Sequence, residues 1–103
     1  MTIAAHIAVP VEEIATFCRR HHIRRLSLFG SVLRDDFGPD SDVDVLVEFD
    51  KGNEPGLIGL AGMELVLSPL FAGRRVEINT PLFLSPYFRD KVIATAKLVY
   101  ERP

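Results

Sequence analysis

The sequence lacks the features that mark several common protein classes. It has one cysteine, Cys18, in 103 residues, which rules out a disulfide within the chain. No apolar stretch approaches the ~20 residues of a membrane-spanning helix, and the N-terminal region has no signal-peptide pattern. Internal repeats, low-complexity segments and linkers are also missing. These absences predict a cytoplasmic protein with no membrane partner.

An excess of basic residues is missing as well. Twelve Lys and Arg residues stand against 14 Asp and Glu residues, which gives a net charge of −2 and a pI near 5.9. Nucleic-acid-binding domains are usually basic, so no direct nucleic-acid partner is expected. What the chain does have is 48% hydrophobic residues. A chain of this length buries roughly 60–70% of its unfolded surface, so residues 1–103 are expected to form a single domain with one modest core.

The spacing of apolar residues predicts a mixture of helices and strands. One predicted helix, residues 56–67, is unusual because Glu64 is its only charged residue. Either both of its sides are covered within the domain, or one side contacts another protein as a homo- or hetero-oligomer. Cys18 is expected to be a small core residue of the first helix. Helices are predicted at 10–22, 56–67 and 85–96, and strands at 23–29, 41–49, 75–79 and 98–100.

The chemistry is concentrated in a Gly-Ser turn and an Asp-x-Asp pair ten residues later. Asp42 and Asp44 are two residues apart on a predicted strand, so their side chains share a face. Two like charges this close are unfavourable unless a cation lies between them, and Mg²⁺ prefers oxygen ligands together with a phosphate. The backbone N–H groups at Gly30 and the hydroxyl of Ser31 are candidates to hold that phosphate. Each motif alone is common in turns and loops, but their combination predicts a metal–nucleotide site.

This combination resembles the nucleotidyltransferase superfamily that includes DNA polymerase β. More narrowly, it resembles the minimal nucleotidyltransferases of the MntA-type antitoxins, whose pattern is Gly-Ser, ten residues, Asp-x-Asp. The resemblance covers residues 11–101. It implies an α+β fold, the minimal nucleotidyltransferase fold, in which a small mixed β-sheet has helices packed mainly on one face. It also implies ATP as substrate and two Mg²⁺ ions held by catalytic Asp42 and Asp44.

The resemblance assigns four further positions. Gly30 and Ser31 would bind the nucleotide together with Arg34, the basic residue three after the serine. Arg34 has an alternative role, because it could instead form a salt bridge with Asp35 or Asp40. Glu77 lies in the segment that aligns with the third-carboxylate strand of the family, which usually carries Asp. As a metal ligand or as the base for the attacking hydroxyl, Glu77 predicts a weaker activity than Asp would, because its carboxylate reaches one methylene further.

Two functions remain open from the sequence. In the resembled family, ATP supplies AMP to a tyrosine of a HEPN-type toxin RNase, which implies AMPylation by the antitoxin of a toxin–antitoxin pair. The alternative is a binding-only antitoxin or assembly subunit with a vestigial nucleotide site. Transfer to a small molecule such as an aminoglycoside is disfavoured, because no extra domain is present to hold the sugar.

The sequence also contains a basic cluster, which either contacts a phosphate or an acidic partner or forms a solvated helix end: Arg19, Arg20, Arg24 and Arg25.

Overall fold

The computed structural model describes residues 2–4, 7–33, 38 and 40–102, which form two β-sheets and three helices. Four strands make the main sheet in the order β5-β4-β3-β6, in which β4 and β5 run parallel and the other neighbours antiparallel. The expected α+β fold with a small mixed sheet is confirmed. The elements are β1 (Thr2–Ala4), β2 (Ile7–Val9), α1 (Val11–Arg20), β3 (Ile23–Phe29), β4 (Val43–Phe49), α2 (Leu57–Leu67), β5 (Val76–Asn79), α3 (Pro86–Thr95) and β6 (Lys97–Glu101).

The three predicted helices are present, and α2 and α3 begin and end within one residue of the prediction. Helix α1 ends at Arg20 and not at His22 as predicted, because His22 has a positive φ of 58°, which a right-handed helix excludes. Pro10 lies at the N-cap of α1, whose first turn carries Glu12 and Glu13 and whose last turn carries two arginines, and each charge opposes the helix dipole at its end. Ser85 caps α3 by accepting a hydrogen bond from the backbone N–H of Tyr87. Cys18 is buried in α1, and burial raises the pKa of its thiol to about 12, which fits the predicted core role.

Alternation along β4 divides the sheet into two faces. The side chains of Val43, Val45 and Val47 are fully buried in the core with residues from α1 and α2. The intervening positions, from Asp42 through Glu48, lie on the opposite face. On that face α3 flanks the sheet, but none of its residues is buried. Two helices therefore cover one face of the sheet. On the other face Ser27 and Leu46 are buried, whereas Asp42 and Asp44 stay partly accessible.

The antiparallel hairpin of β1 and β2 has no counterpart in the sequence prediction. In β2, Ile7 and Val9 are buried and Ala8 is exposed, so the period of a half-buried strand is present. Three residues are too few to separate that pattern from a loop.

Helix α2 has one buried side and one exposed apolar side. Leu60, Met63 and Leu67 join the core. Its single carboxylate is used at the sheet edge, where Glu64 Oε2 accepts a hydrogen bond from the backbone N–H of Ile78 at 2.7 Å. Of the two possibilities left by the sequence, the structure shows that one side of α2 is not covered within the described chain. The exposed fractions there are 76% for Leu57, 91% for Ile58, 77% for Leu65 and 55% for Val66.

None of the helices described here has the length and apolar character needed to cross a membrane.

The exposed side of α2 predicts a contrast between two leucines. Replacing Leu65 by Lys should change the free energy of unfolding by less than about 0.5 kcal/mol, because the side chain is already in water. Leu60→Ala should lower it by about 2–5 kcal/mol by leaving a cavity. Urea denaturation of both variants measures the difference. We also expect Leu65→Lys to weaken any complex formed through this side, and an equal loss of stability in both variants would contradict the exposure of Leu65.

Candidate active site

The carboxylate of Asp44 lies directly against the backbone of Gly30. A Cβ atom placed on Gly30 would be 2.4 Å from Asp44 Oδ2, well inside van der Waals contact. Gly30 also has a φ of +77°, a conformation that residues with side chains rarely adopt. The preceding residue, Phe29, pairs with Asp44 across β3 and β4. Glycine is therefore required at this turn both for the chain reversal and for space beside the carboxylate.

The parallel pairing of β4 and β5 brings a second carboxylate to the same place. Asp44 and Glu77 are register partners, so their Cα atoms are separated by about one strand spacing, ~4.8 Å. Glu77 is exposed between Val76 and Ile78, which are buried. Asp42 precedes β4 by one residue and shares the face of Asp44 by alternation. The prediction that Glu77 faces the same side as the two aspartates is thus supported by the register.

The three carboxylates differ in burial: Asp42 and Asp44 are half-buried, whereas Glu77 is exposed. The carboxylate oxygens of Asp42 and Asp44, on one face beside the Gly30 backbone, are the donor type that Mg²⁺ prefers. Over the residues that are described, no group of three or more His, Cys, Asp or Glu side chains is arranged to hold a metal ion. The residues fit a magnesium site built first on the aspartates, and ligation by Glu77 stays a prediction.

Ser31 and Arg34 are the other two residues predicted to bind the nucleotide. The backbone of Ser31 lies in the short 3₁₀ turn Gly30–Leu33 that follows β3. Arg34 lies outside the described residues, as does Asp35, so the choice between phosphate contact and salt bridge stays a prediction.

A hollow of about 540 Å³ opens beside Gly30, between the end of β3 and α3. Its size lies within the range of small-molecule sites, roughly 300–1,000 Å³. Phe88 is largely exposed in it, and Lys91 adds a positive charge. The sequence carries no signal for this hollow, because α3 has no apolar stripe that would assign a face to its residues. The lining is completed by Phe29, Leu33, Leu84, Ser85, Val92 and Thr95.

The predicted basic cluster is divided between two surfaces. Arg19 and Arg20 are exposed at the end of α1. On β3, Arg24 pairs with Glu48 at 3.1 Å, while Arg25 Nε donates to Glu101 Oε2 at 2.9 Å. Two of the four arginines are therefore engaged by carboxylates of the same chain, at the end of the sheet far from Gly30.

Comparison with known proteins identifies the family. The nucleotidyltransferase domain family matches residues 11–99, which is most of the chain. The chain belongs to this family. It is 31% identical over 77 residues to a Methanocaldococcus jannaschii protein named as a candidate protein adenylyltransferase, MJ0435, and the match covers 75% of this chain and 80% of that protein.

Solved structures show the same fold. A protein described as a candidate minimal nucleotidyltransferase superposes with a TM-score of 0.67 at 37% sequence identity, covering 84% of this chain and 85% of its own. A chain of a toxin–antitoxin complex with AMP-PNP gives a TM-score of 0.73 at 17% identity, over 91% of this chain and 75% of the other. A chain of the toxin–antitoxin MntA–HepT gives 0.64 at 16% identity, over 89% and 70% of the two chains. At these two lower identities the likeness is one of fold.

The contact between Gly30 and Asp44 predicts that alanine is more destabilising at Gly30 than at Gly52. Gly30→Ala should cost about 1–2 kcal/mol for the left-handed backbone and a further ~1–3 kcal/mol for overpacking against Asp44. Gly52 is the matched control, because its φ is +85° and nothing lies within 4 Å of its added Cβ. Chemical denaturation should show the larger loss for Gly30→Ala. Equal losses in the two variants would mean that Asp44 moves aside without resistance.

Proposed function

We propose that this protein is a Mg²⁺-dependent nucleotidyltransferase that transfers AMP from ATP to a tyrosine of a partner HEPN-type toxin RNase, and thereby acts as an antitoxin. The observation that carries the proposal is the placement of Asp44, which lies against the Gly30 turn on one side and opposite Glu77 on the other. Membership of the nucleotidyltransferase family supports the class of reaction. The relative named as a candidate protein adenylyltransferase supports a protein acceptor.

The residues on this face match the demands of nucleotidyl transfer. The acceptor hydroxyl oxygen forms a bond to the α-phosphorus, the bond from that phosphorus to the bridging oxygen breaks, and pyrophosphate leaves. Asp42 and Asp44 would hold two Mg²⁺ ions, which supply charge neutralisation for the attacking and leaving oxygens. Glu77 would bind the Mg²⁺ ion nearest the acceptor hydroxyl or accept the proton of that hydroxyl. Most of the protein's contribution is positioning and electrostatic stabilisation.

The hollow beside Gly30 is proposed as the place of the nucleoside. It adjoins the turn that would hold the phosphates, and its volume of about 540 Å³ suits a group of that size. Phe88 offers an aromatic ring for a base, and Lys91 offers a positive charge for a polyanion.

The acceptor protein must reach the sheet face that carries the carboxylates. Structures of toxin–antitoxin complexes share this fold, which favours a toxin as the acceptor. The exposed apolar side of α2 lies behind the core, on the opposite side of the sheet from Asp42 and Asp44. A partner held at α2 therefore leaves the carboxylates open, and contact through this helix is compatible with transfer.

The decisive experiment combines binding and transfer. Replacing Asp42 and Asp44 together by Asn should abolish Mg²⁺-dependent ATP binding but leave the fold intact, because the repulsion between the two carboxylates is relieved. Calorimetric titration with Mg-ATP measures the binding. Incubation with labelled ATP, Mg²⁺ and the HEPN-domain protein encoded nearby measures the transfer, with the double variant as the negative control. Unchanged affinity in the double variant would refute the metal site, and no labelling by the parent protein would refute the transferase.

A second candidate function is a binding-only antitoxin or assembly subunit with a vestigial site. It is favoured by Glu77, which stands where the resembled family usually carries Asp, and by the exposed apolar side of α2. In that case the exposed side of α2 would be the functional surface. The two functions differ in whether AMP is transferred, and labelling by the parent protein distinguishes them.

Substitutions of Glu77 test its role in the proposed transfer. Glu77→Gln should remove most of the transfer in a single-turnover assay and leave ATP affinity nearly unchanged, since loss of a base or acceptor-side ligand affects the transition state more than the ground state. Glu77→Asp should keep or raise the rate. Glu48→Gln, on the same sheet face but at the far end of β4, is the matched control. A Glu77→Gln variant as fast as the parent would leave the two aspartates as the only acidic groups of the site.

A further inference from the structure

Arg74 contacts the turn that leads into Asp42. Its Nη1 atom donates to the carbonyl oxygen of Gly38 at 2.7 Å and to that of Ser41 at 3.2 Å. The same turn is closed by a backbone hydrogen bond from Ser41 to Gly38 and by the Ser41 hydroxyl, which accepts from the N–H of Gly38. One guanidinium therefore holds both ends of the turn that precedes the first aspartate.

The backbone of Arg74 is itself anchored to the end of the α2 region. Its carbonyl oxygen accepts a hydrogen bond from the hydroxyl of Ser68 at 2.7 Å. Ser68 also accepts, at its own carbonyl, the N–H of Gly73. The backbone of Arg74 is thus held by the residue that follows α2, independently of the turn that its guanidinium contacts.

The two peptide units that flank Asp42 are held by consecutive residues of one segment. The carbonyl of the Ser41–Asp42 peptide accepts from the Arg74 side chain. The N–H of the Asp42–Val43 peptide donates to the carbonyl oxygen of Arg75 at 2.9 Å. Because peptide units are planar, fixing both planes fixes the direction in which the Asp42 side chain leaves the backbone. Asp44 lies inside the strand ladder and is oriented by its pairing, whereas Asp42 lies just outside β4.

We propose that Arg74 is the positioning residue for Asp42, an inference that rests on the proposed function. The guanidinium sets the Ser41–Asp42 peptide and so aims the Asp42 carboxylate at the site shared with Asp44. Productive geometry tolerates only about 0.5 Å of error, and a misplacement of ~1 Å can lower a rate about 100-fold. Loss of the Arg74 contacts should therefore lower kcat strongly while most of the ATP-binding surface remains.

The test uses three variants and two readouts. Arg74→Met removes the donors but keeps much of the aliphatic chain, Arg74→Lys keeps a positive donor, and Arg75→Met is the matched control because Arg75 is exposed and its backbone carbonyl is retained. Steady-state AMP transfer at varied Mg-ATP separates kcat from KM. Calorimetric binding of Mn²⁺ alone reports the metal site without any reaction.

We expect Arg74→Met to lower kcat at least 10-fold with KM changed less than 3-fold, and to weaken Mn²⁺ binding. Arg74→Lys should recover part of both effects, and Arg75→Met should match the parent. Parent-like transfer and Mn²⁺ affinity in Arg74→Met, or an equal loss in Arg75→Met, would overturn the proposal. If Arg74→Met does not fold, the comparison of Arg74→Lys with Arg75→Met decides, and a lysine variant indistinguishable from the control in kcat and Mn²⁺ affinity overturns it. A parent that binds Mn²⁺ but transfers no AMP refutes the proposed function alone, and the Mn²⁺ affinities still test Arg74.

Discussion

The close approach of the Asp44 carboxylate to the Gly30 backbone is the constraint on which the site depends. It requires that β3 be followed by a residue without a side chain and with a positive φ, so that the chain turns away beside the carboxylate. The pairing of Phe29 with Asp44 fixes this approach through the backbone ladder of β3 and β4. The parallel ladder of β4 and β5 then places Glu77 opposite Asp44. The backbone positions of the turn, Asp44 and Glu77 are thus set by backbone hydrogen bonds, which are less adjustable than side-chain contacts.

The two faces of the sheet differ, so that a chain of 103 residues can form a core on one face and a candidate site on the other. Helices α1 and α2 bury one face and supply the core. The other face receives only α3, which buries none of its residues and leaves a hollow beside the Gly30 turn. The exposed side of α2 lies behind the core. A surface for partner contact and a surface for chemistry can therefore exist in one small domain without competing for the same residues.

Much of the main sheet follows from period-2 alternation, which strands of seven residues display clearly. The prediction for Ile23–Phe29 has the bounds that the structure shows, and the buried valines of β4 are those that the alternation assigns to the core. The two-residue spacing of Asp42 and Asp44 likewise predicts their common face. The hairpin at the N-terminal end was not predicted because its strands are too short to carry a pattern. The contacts of Arg74 join residues up to 36 positions apart, and a local pattern contains no signal for such pairs.

The three carboxylates are constrained to different degrees, and Glu77 is the least constrained of them. Asp44 is confined by the Gly30 turn and by strands on both sides, and the peptides around Asp42 are held by Arg74 and Arg75. Glu77 is exposed on the edge strand β5. Its side chain has one more rotatable bond than Asp, so ordering its carboxylate costs additional rotamer entropy. Nucleotide binding that relies on Asp42 and Asp44 would not require this loss of entropy. A chemical step that needs the Glu77 carboxylate in one position would require all of it. In the proposed reaction, a glutamate at this position would therefore affect the transition state more than the bound nucleotide.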